Sequence, residues 1–354
     1  MHSGRFSLFR SGAAGELDLL AHIRARAAQA PPAAALRLGI GDDCALLRLG
    51  AGEELAVTTD LSIEGRHFRL EWHPPESIGH RTLARGLSDL AAMGARPVAA
   101  FLSLGLPGNL VQGANARQRR REPWVGRFLD GFLALASAYQ TPLAGGDVAE
   151  SPLPVADIVL TGAVRRGKAL LRSGARPGHL LYVTGSLGGS PAGLARLAQL
   201  AGGAPKSRPA LSGPVRIPAR LKAALEPHLY PQPRIAQGLW LARRPVATAC
   251  IDLSDGLSTD LSHLCEESGV AAAVDAAALP IHPGATLGQA LHGGEDYELL
   301  FTAPPWVHIP RLIAGIGVTR IGRIMRRRRS APQVTLVTAR GRQALAPRGW
   351  QHFA

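Results

Sequence analysis

Aspartates recur beside glycines or hydroxyl residues at the ends of apolar, strand-like segments, and no other feature constrains the fold of this chain as much. The stretch Gly39–Phe68 opens the series, with Asp42 and Asp43 in a glycine-rich turn and Asp60 at the end of the alternating run 55–59. Oxygen ligands of this kind suit Mg²⁺, which commonly bridges one or two carboxylates to substrate phosphates. The stretch therefore favours a magnesium site and a phosphate substrate.

The same pattern returns further along the chain. Asp89 interrupts the apolar part of a predicted helix, and Asp147 follows the glycines of a short strand. Asp252 and Asp255 flank Ser254 in a turn between a strand and a helix. If these carboxylates meet without cations, they repel one another and raise one another's pKa, so bound magnesium ions would remove the conflict.

Each acid also has a purely structural interpretation. The Gly-Asp-Asp segment could be a simple turn, since Gly and Asp dominate turns for conformational reasons. Asp89 could be a surface carboxylate of an amphipathic helix, and Ser254 or Asp255 could be a helix cap. One cap needs only one such residue, whereas Asp252 stands with both of them. We therefore favour membership of a site.

The length of 354 residues suggests two domains, and a strand predicted at 156–164 closes the first of them. We expect an N-terminal domain over residues 1–165 and a C-terminal domain over residues 166–354. No apolar run approaches the roughly 18 residues that span a bilayer, so we expect a cytoplasmic protein without a membrane partner. Three cysteines without CxxC spacing suggest neither a disulfide framework nor a zinc site; each should be a small buried residue.

The formal net charge of +14 raises the alternative of a nucleic-acid-binding protein. Only three lysines contribute, and arginine clusters occur at 117–121 and 326–329. Neither cluster is interleaved with the aromatic residues that a stacking platform needs. We interpret both as solvated loops and do not expect a nucleic-acid partner.

Apolar spacing and glycine or proline breaks predict the main secondary-structure elements. Helices are expected over 16–30, 74–94 and 124–139, and strands over 98–106, 156–164, 179–184 and 298–302. Glycines at 185–189 lead into another helix, whose N-terminus could hold an anion, but the GxGxxG spacing is missing.

The sequence has no GxxxxGK[ST] loop and no protein-kinase catalytic loop. A phosphoryl-transfer enzyme without a phosphate-cradling lysine must neutralise the nucleotide in another way. Clustered metal ions that bridge the phosphate oxygens can do so.

Taken in order, eight short segments resemble the thiamine-monophosphate kinase family over nearly the whole chain. They are GIGDDCALL, TTDLSIEGRHF, LSDLAAMGARP, GGD, LLRSGARPG, IDLSDGLSTDL, GGEDYELLFT and GWQHF. The resemblance implies an α/β (α+β) two-domain synthetase-like fold, with mixed sheets flanked by helices. In it the N-terminal domains bind ATP and magnesium and pair in a homodimer, and the C-terminal domain completes the nucleotide and substrate site. The resemblance also implies direct in-line transfer of phosphate from ATP to thiamine monophosphate, without a phosphoenzyme.

The resemblance further implies roles for individual residues. The implied magnesium ligands are Asp43, Asp60, Asp89, Asp147, Asp252 and Asp255, with Thr58 and Thr59 beside them. The implied ATP contacts are Gly146, Asp147, Arg172 and Ser254, and the implied substrate contacts are His67, Glu295 and Trp350. An aromatic face suits a cationic thiazolium, and an arginine fork suits phosphate oxygens. Outside the resemblance, Trp350 could be a packing residue of the tail and His67 a loop histidine.

Two rival functions remain at this point. One is another ATP-dependent synthetase of the superfamily that includes aminoimidazole ribonucleotide synthetase and selenophosphate synthetase. The absence of an N-terminal Cys nucleophile, and the presence of His67 with the GWQHF tail, argue against it. The other is a basic nucleic-acid-binding protein on an inactive scaffold. The chain also departs from the family pattern in its basic insertion at 108–123, its long segment at 202–218, and Val148 and Ala149 after the GGD motif.

Overall fold

The computed structural model describes residues 16–29, 33–40, 44–112, 123–202, 214–244 and 246–349. Two predicted site residues, Asp43 and Trp350, lie outside these ranges, as do Asp42 and most of both insertions. No helix among the described residues is long and apolar enough to cross a membrane.

Helices and strands alternate along the chain. The first part contains α1 (Glu16–Ala27), β1 (Leu36–Leu38), β2 (Leu46–Leu47), β3 (Glu53–Ile63), α2 (Pro75–Ala92), β4 (Arg96–Leu106), α3 (Gly108–Gln112), α4 (Trp124–Ala138), β5 (Leu143–Glu150) and β6 (Val155–Arg165). The second part contains β7 (Leu180–Thr184), α5 (Gly189–Leu200), α6 (Lys222–Leu229), α7 (Ile235–Arg243), β8 (Ala249–Asp252), α8 (Leu257–Glu267), β9 (Ala271–Asp275), α9 (Leu287–His292), β10 (Leu299–Ala303), β11 (Leu312–Ile313), β12 (Ile316–Met325), β13 (Val334–Thr338) and β14 (Gly341–Ala344).

Strands of the first part form a four-stranded sheet in the order β3-β6-β4-β5. The β3–β6 and β6–β4 pairs are antiparallel, and β4 and β5 run parallel. Side chains alternate between the two faces of a strand, and here the residues facing α2 and α4 are the buried ones, such as Leu102, Ile158 and Leu160. The core of this part therefore lies between one face of the sheet and these two helices.

Strands of the second part form an eight-stranded mixed sheet. Its order is β14-β13-β9-β12-β7-β10-β8, with β11 added beside β12, and only the β13–β9 pair is parallel. Helix α8 contacts β8, β9 and β13, and its Leu257, Leu261 and Leu264 belong to the core of this sheet. Helix α2 contacts both β3 and β8, so it connects the first sheet with an edge of the second.

The predicted helices and strands occur close to their expected bounds, but two acids are placed differently. Strand β3 continues three residues past Asp60 to Ile63, because the alternating pattern persists and each residue pairs with β6. Asp147 likewise lies inside β5 and not in a turn after it. Of the cysteines, Cys250 and Cys265 are buried as predicted, whereas Cys44 is exposed. The division at residue 165 stays a prediction.

Glycines allow α2 and α4 to approach each other at backbone distance. A Cβ atom on Gly79 would lie 1.9 Å from the carbonyl oxygen of Phe128, and one on Gly131 would lie 1.8 Å from that of Glu76. Real Cβ atoms do not come this close to backbone, so each helix fits the other only where the side chain is missing. This contact sets how α2 sits on the first sheet.

We predict that Gly79→Ala destabilises the protein by about 1–3 kcal/mol or more, because overpacking forces two backbones apart. Gly288→Ala in α9 is the matched control, since the nearest atom to its added Cβ is 3.9 Å away. Ala is favoured over Gly inside helices, so this control should be neutral or stabilising. Denaturant unfolding of both variants measures the difference; equal midpoints would contradict the close-contact argument.

Candidate active site

Helix α2 carries polar side chains on a face that points into the protein. Arg81, Arg85, Ser88 and Asp89 are spaced at i, i+4, i+7 and i+8, which places them along one side of a helix. Fifteen of the eighteen residues of α2 are buried, Arg81 and Ser88 among them, whereas Arg85 and Asp89 are half-buried. The acid cluster, defined here as Asp60, Asp89 and Asp252, lies near the C-terminal end of this stripe.

Hydroxyl groups hold two members of the acid cluster in place. Thr58 on β3 donates a hydrogen bond to Asp89 Oδ2. Ser88 donates to Asp252 Oδ2 over 2.7 Å, which joins α2 to the end of β8. Because Thr58 and Asp60 are two residues apart on one strand, both face α2. Three separate elements therefore bring the cluster together.

The ionisation of Asp89 and Asp252 is disfavoured in this cluster. Burial, and then the charges of Asp252 and Asp60, raise the pKa of Asp89 to about 7. Burial also raises the pKa of Asp252, while the Ser88 hydrogen bond and the charge of Arg172 oppose that rise. Arg172 is exposed, yet its charge acts on both acids, as an anion-binding residue beside the cluster would. The site favours additional positive charge.

A cavity of about 760 Å³ opens beside the acid cluster. Seven predicted site residues line it, namely His67, Asp60, Asp89, Asp252, Ser254, Asp255 and Glu295. Further basic and aromatic side chains line the same cavity, namely Arg66, Arg69, Trp72, His73, Arg85, His228, His292, Tyr297 and Arg348. Predicted metal ligands, one ATP contact and two substrate contacts thus share one space.

Arg81 fixes Glu295 in the wall of the same cavity. Its Nη2 lies 2.7 and 2.8 Å from the two carboxylate oxygens of Glu295 and also donates to the His67 carbonyl oxygen over 3.3 Å. Although burial disfavours its charge, the neighbouring guanidinium of Arg81 lowers the pKa of Glu295 below its usual value. Glu295 also has a φ of 66°, a left-handed conformation that is uncommon for a residue with a side chain. An ionised carboxylate is therefore held in a defined place.

Two buried histidines lie behind this pair. His228 Nδ1 lies 3.1 Å from Arg81 Nη1, and because a guanidinium can only donate, this nitrogen is an acceptor, which the Ser190 hydroxyl also reaches over 3.0 Å. The proton of the His228 ring is therefore on Nε2, which donates to His73 Nε2 over 3.0 Å, and His73 Nδ1 donates to the Arg69 carbonyl oxygen over 3.2 Å. This arrangement uses both rings in the neutral form. Burial and the charge of Arg81 accordingly lower the pKa of His73 to about 3 and the pKa of His228 well below normal.

The structure places some predicted site residues elsewhere. Thr59 points to the opposite face of β3 from Thr58, because side chains alternate along a strand. Gly146 and Asp147 line a second cavity, of about 420 Å³, which Phe101 also lines. The roles of Thr59, Gly146 and Asp147 therefore remain predictions, as do those of Asp43 and Trp350 outside the described residues.

The glycine turn at the start of α5 is occupied by the protein's own carboxylate. Asp296 accepts hydrogen bonds from the backbone N–H groups of Gly188, over 2.5 Å, and Ser190, over 3.0 Å. The anion that this helix N-terminus could hold, according to the sequence, is thus an aspartate side chain. Burial raises the pKa of Asp296 to about 7 despite these two donors.

The donor set of the acid cluster fits magnesium in its chemistry. All of its groups are oxygens, and the mutual repulsion of the carboxylates would be relieved by a divalent cation. In the described part of the chain, no three acidic, His or Cys side chains converge closely enough to hold an ion by themselves. The cluster therefore suits Mg²⁺ that also takes oxygens from water and phosphate.

Sequence reasoning missed the basic half of the site. Arg81, Arg85, His73 and His228 were not predicted as site residues, although the first two stand one helical turn apart. The available signal was that α2 has charged residues at this spacing within an otherwise apolar or small-residue helix. His73 and His228 are 155 residues apart, and no local pattern connects them.

Residues 41–164 match the family model described as AIR synthase related protein, N-terminal domain. The thiamine-monophosphate kinase of Salmonella typhimurium is 39% identical over 304 residues, which cover 82% of this chain and 83% of that relative. The thiamine-monophosphate kinase of Synechococcus elongatus is 34% identical over 324 residues, with coverage of 88% and 91%. These relatives match most of both chains.

Solved structures agree. The crystal structure of thiamine-monophosphate kinase from Stenotrophomonas maltophilia has a TM-score of 0.70 and 36% identity, and the match covers 90% of this chain and 95% of that one. AaThiL complexed with AMPPCP and TMP has a TM-score of 0.70 and 29% identity over 98% of this chain and 99% of that one. Hydrogenase maturation protein HypE, at 17% identity and a TM-score of 0.62, shares the fold. The expected α/β synthetase-like fold is confirmed.

The neutral histidine pair predicts a pH dependence of stability. The unfolded chain binds a proton at residue 73 below about pH 6.5, whereas folded His73 stays neutral down to about pH 3. The free energy of unfolding should therefore fall as the pH drops through this window. His73→Gln removes the titrating group but keeps an amide whose oxygen can accept from His228.

We expect the stability difference between wild type and His73→Gln to change by up to about 1.4 kcal/mol per pH unit between pH 6 and 4. Denaturant unfolding at several pH values measures it. The raised pKa values of Asp89 and Asp296 change stability in the opposite direction as the pH falls. Both residues are present in both proteins, so their contributions cancel in the difference. Replacement of the exposed His263 by Gln is the control. Parallel curves for wild type and His73→Gln would contradict the neutral pair.

Proposed function

The chain belongs to the thiamine-monophosphate kinase family, and we propose that it transfers the γ-phosphoryl group of ATP directly and in line to thiamine monophosphate, with several Mg²⁺ ions bound. The products are ADP and thiamine diphosphate. AaThiL, which has the same fold, has been seen with TMP and with AMPPCP, an ATP analogue. Because ATP is the donor, the proposal places the enzyme in the cytoplasm.

One observation carries this proposal. The acid cluster and the fixed Glu295 line the same cavity, so a nucleotide phosphate and an organic acceptor would meet there. Glu295 is ionised and faces a space where a cationic thiazolium ring would be favoured by its charge. His67 is held beside it through its backbone carbonyl by Arg81. These residues bind and orient the acceptor.

On the donor side, Asp60, Asp89 and Asp252 would hold Mg²⁺, together with Asp255 and Asp43. Bound magnesium supplies positive charge to the phosphate oxygens where negative charge develops. Thr58 and Ser88 orient the carboxylates of the cluster by hydrogen bonds. Arg172 and Ser254 would contact ATP. No side chain is required as a covalent intermediate, and the chain's contribution is position and charge.

We predict that Asp89→Asn lowers kcat/KM for thiamine monophosphate by at least about 100-fold, because a magnesium ligand is lost. Its thermal stability should stay equal or rise, since the buried repulsion with Asp60 and Asp252 is relieved. Asp275→Asn is the control, because this exposed residue caps a short 3₁₀ helix and Asn caps equally well.

The assay measures thiamine diphosphate formed from thiamine monophosphate, ATP and Mg²⁺, with free thiamine and aminoimidazole-pathway substrates run in parallel. Wild-type product from the monophosphate alone supports the proposed function. Turnover of another substrate in its place would identify a different synthetase of the superfamily. Normal turnover by Asp89→Asn at limiting Mg²⁺ would rule out the metal role of that residue.

We also propose that the enzyme is a homodimer that pairs through the exposed β3 part of the four-stranded sheet, on the face away from α2. Leu55, Val57 and Leu61 alternate along β3 on the face away from α2, with exposures of 49%, 56% and 45%. A row of large apolar side chains on a monomer surface is typical of an interface. A second copy of the same sheet would present a matching apolar surface to it.

We predict that Val57→Asp converts the dimer to a monomer, because pairing would bury an uncompensated charge. Sedimentation velocity measures the change. Leu312→Asp is the matched control, since Leu312 is 64% exposed but lies on the β11–β12 hairpin of the other sheet. A wild-type protein that sediments as a monomer at micromolar concentration would contradict the dimer.

A further inference from the structure

Arg85 is a cation in the main cavity whose hydrogen bonds are only partly used. Its Nη2 and Nε lie 3.1 and 3.3 Å from the same oxygen, Oδ1 of Asp60. In the part of the chain that the structure describes, its hydrogen bonds go to this one oxygen. A guanidinium has five N–H donors in a planar fork, so about three donors remain for another acceptor. The Arg85 side chain is 18% exposed and lines the cavity.

The position of Arg85 on α2 places it between two parts of the site. One turn earlier, Arg81 holds Glu295, and one turn later, Asp89 belongs to the acid cluster. Arg85 interacts electrostatically with Asp60 of the cluster and also with Glu295. It therefore stands on the path from the acceptor contacts to the predicted magnesium ligands.

In the proposed reaction this path is where the acceptor phosphate must lie. The organic part of thiamine monophosphate would contact His67 and Glu295, and its phosphate must point toward the ATP bound at the acids. That phosphate carries negative charge and would be repelled by Asp60 and Glu295 unless a cation stands beside it. Guanidinium is well suited, since its fork matches the oxygens of a phosphate group.

We propose that Arg85 binds the phosphate group of thiamine monophosphate and makes the enzyme select the monophosphate over unphosphorylated thiamine. The inference deepens the proposed function and rests on it. Arg85 keeps its contact with Asp60 in the absence of substrate, and its unused donors receive the acceptor phosphate. It is thus a specificity residue that touches the group to which the phosphoryl is transferred.

A purely structural role for Arg85 would have different consequences. If the guanidinium only balanced the charge of Asp60, its removal would change the stability of the protein. It would also weaken the binding of both ligands, or of neither. A direct contact with the ligand phosphate affects only the ligand that carries a phosphate. Comparison of thiamine monophosphate with thiamine separates the two roles, because the ligands differ in that group alone.

The test is isothermal titration calorimetry of wild type, Arg85→Gln and Arg85→Lys with thiamine monophosphate and with thiamine, without ATP or Mg²⁺. For Arg85→Gln we expect an increase of about 10- to 100-fold in the Kd of the monophosphate, the usual loss for hydrogen bonds to a charged group. The Kd of thiamine should change by less than about twofold. Arg85→Lys keeps the charge but loses the fork, so it should recover part of the affinity.

Two arginine variants serve as controls. Arg96→Gln removes a guanidinium that pairs with the Glu53 carboxylate over 3.3 Å. This pair lies at an exposed end of the four-stranded sheet, which also carries Asp60. The variant should leave both Kd values unchanged. Arg66→Gln removes an exposed charge at the cavity. An equal loss of monophosphate affinity in Arg66→Gln would show that net charge, and not a contact from Arg85, selects the ligand.

Several results would overturn the inference. They are a wild type that binds the monophosphate no more tightly than thiamine, an Arg85→Gln variant with unchanged monophosphate affinity, and equal losses for both ligands. If Arg85→Gln does not fold, full monophosphate affinity in Arg85→Lys together with an unchanged ratio to thiamine would also overturn it.

The proposed function is judged separately, by wild-type turnover. Arg85-dependent binding of the monophosphate without formation of the diphosphate would leave the contact intact and refute the kinase reaction. Formation of the diphosphate with binding that does not depend on Arg85 would support the kinase reaction and refute the Arg85 contact.

Discussion

The burial of helix α2 is the constraint on which the rest of the structure depends. Its backbone touches α4 where Gly79 and Gly131 lack side chains, and Gly238 lets α7 approach the carbonyl oxygen of Ala91 in the same way. A helix enclosed on several sides cannot turn its charged residues to water. Arg81, Arg85, Ser88 and Asp89 take partners from other elements, and those partners bring β3, β8 and the loop before β10 to one place.

Charge in this site is balanced unevenly. Glu295 is paired with the fixed cation of Arg81, and its pKa is held low. The acid cluster has hydroxyl partners and one arginine, and the pKa of Asp89 rises to about 7. Stability alone would favour replacing one of these acids, because unpaired buried carboxylates cost free energy. Such an imbalance is typical of a site whose missing charge arrives with its ligands.

Local patterns in the sequence were enough to predict most helices and strands, and the family resemblance pointed to acids that line one cavity. They ended β3 at Asp60, although the alternation continues to Ile63 and each of these residues pairs with β6, about 100 residues away. They also missed Arg81 and His228, whose contact joins residues 147 positions apart. Periodicity reports which face of an element is buried, but not which partner covers it.

Arg81, Arg85 and Arg234 use their hydrogen-bond donors differently, and the difference has consequences for function. Arg234 donates to the Glu298 carboxylate over 2.5 Å, and Thr184 donates to the same carboxylate. We call this a closed pair, because Arg234 uses its donors inside the protein, where they stabilise the loop before β10. Arg81 similarly donates its hydrogen bonds to Glu295 and to two backbone carbonyl oxygens. Arg85 reaches a single oxygen of Asp60 and faces the cavity. Because donor capacity in a closed pair cannot bind a ligand, Arg85 is the one among these three whose geometry suits recognition of a phosphate.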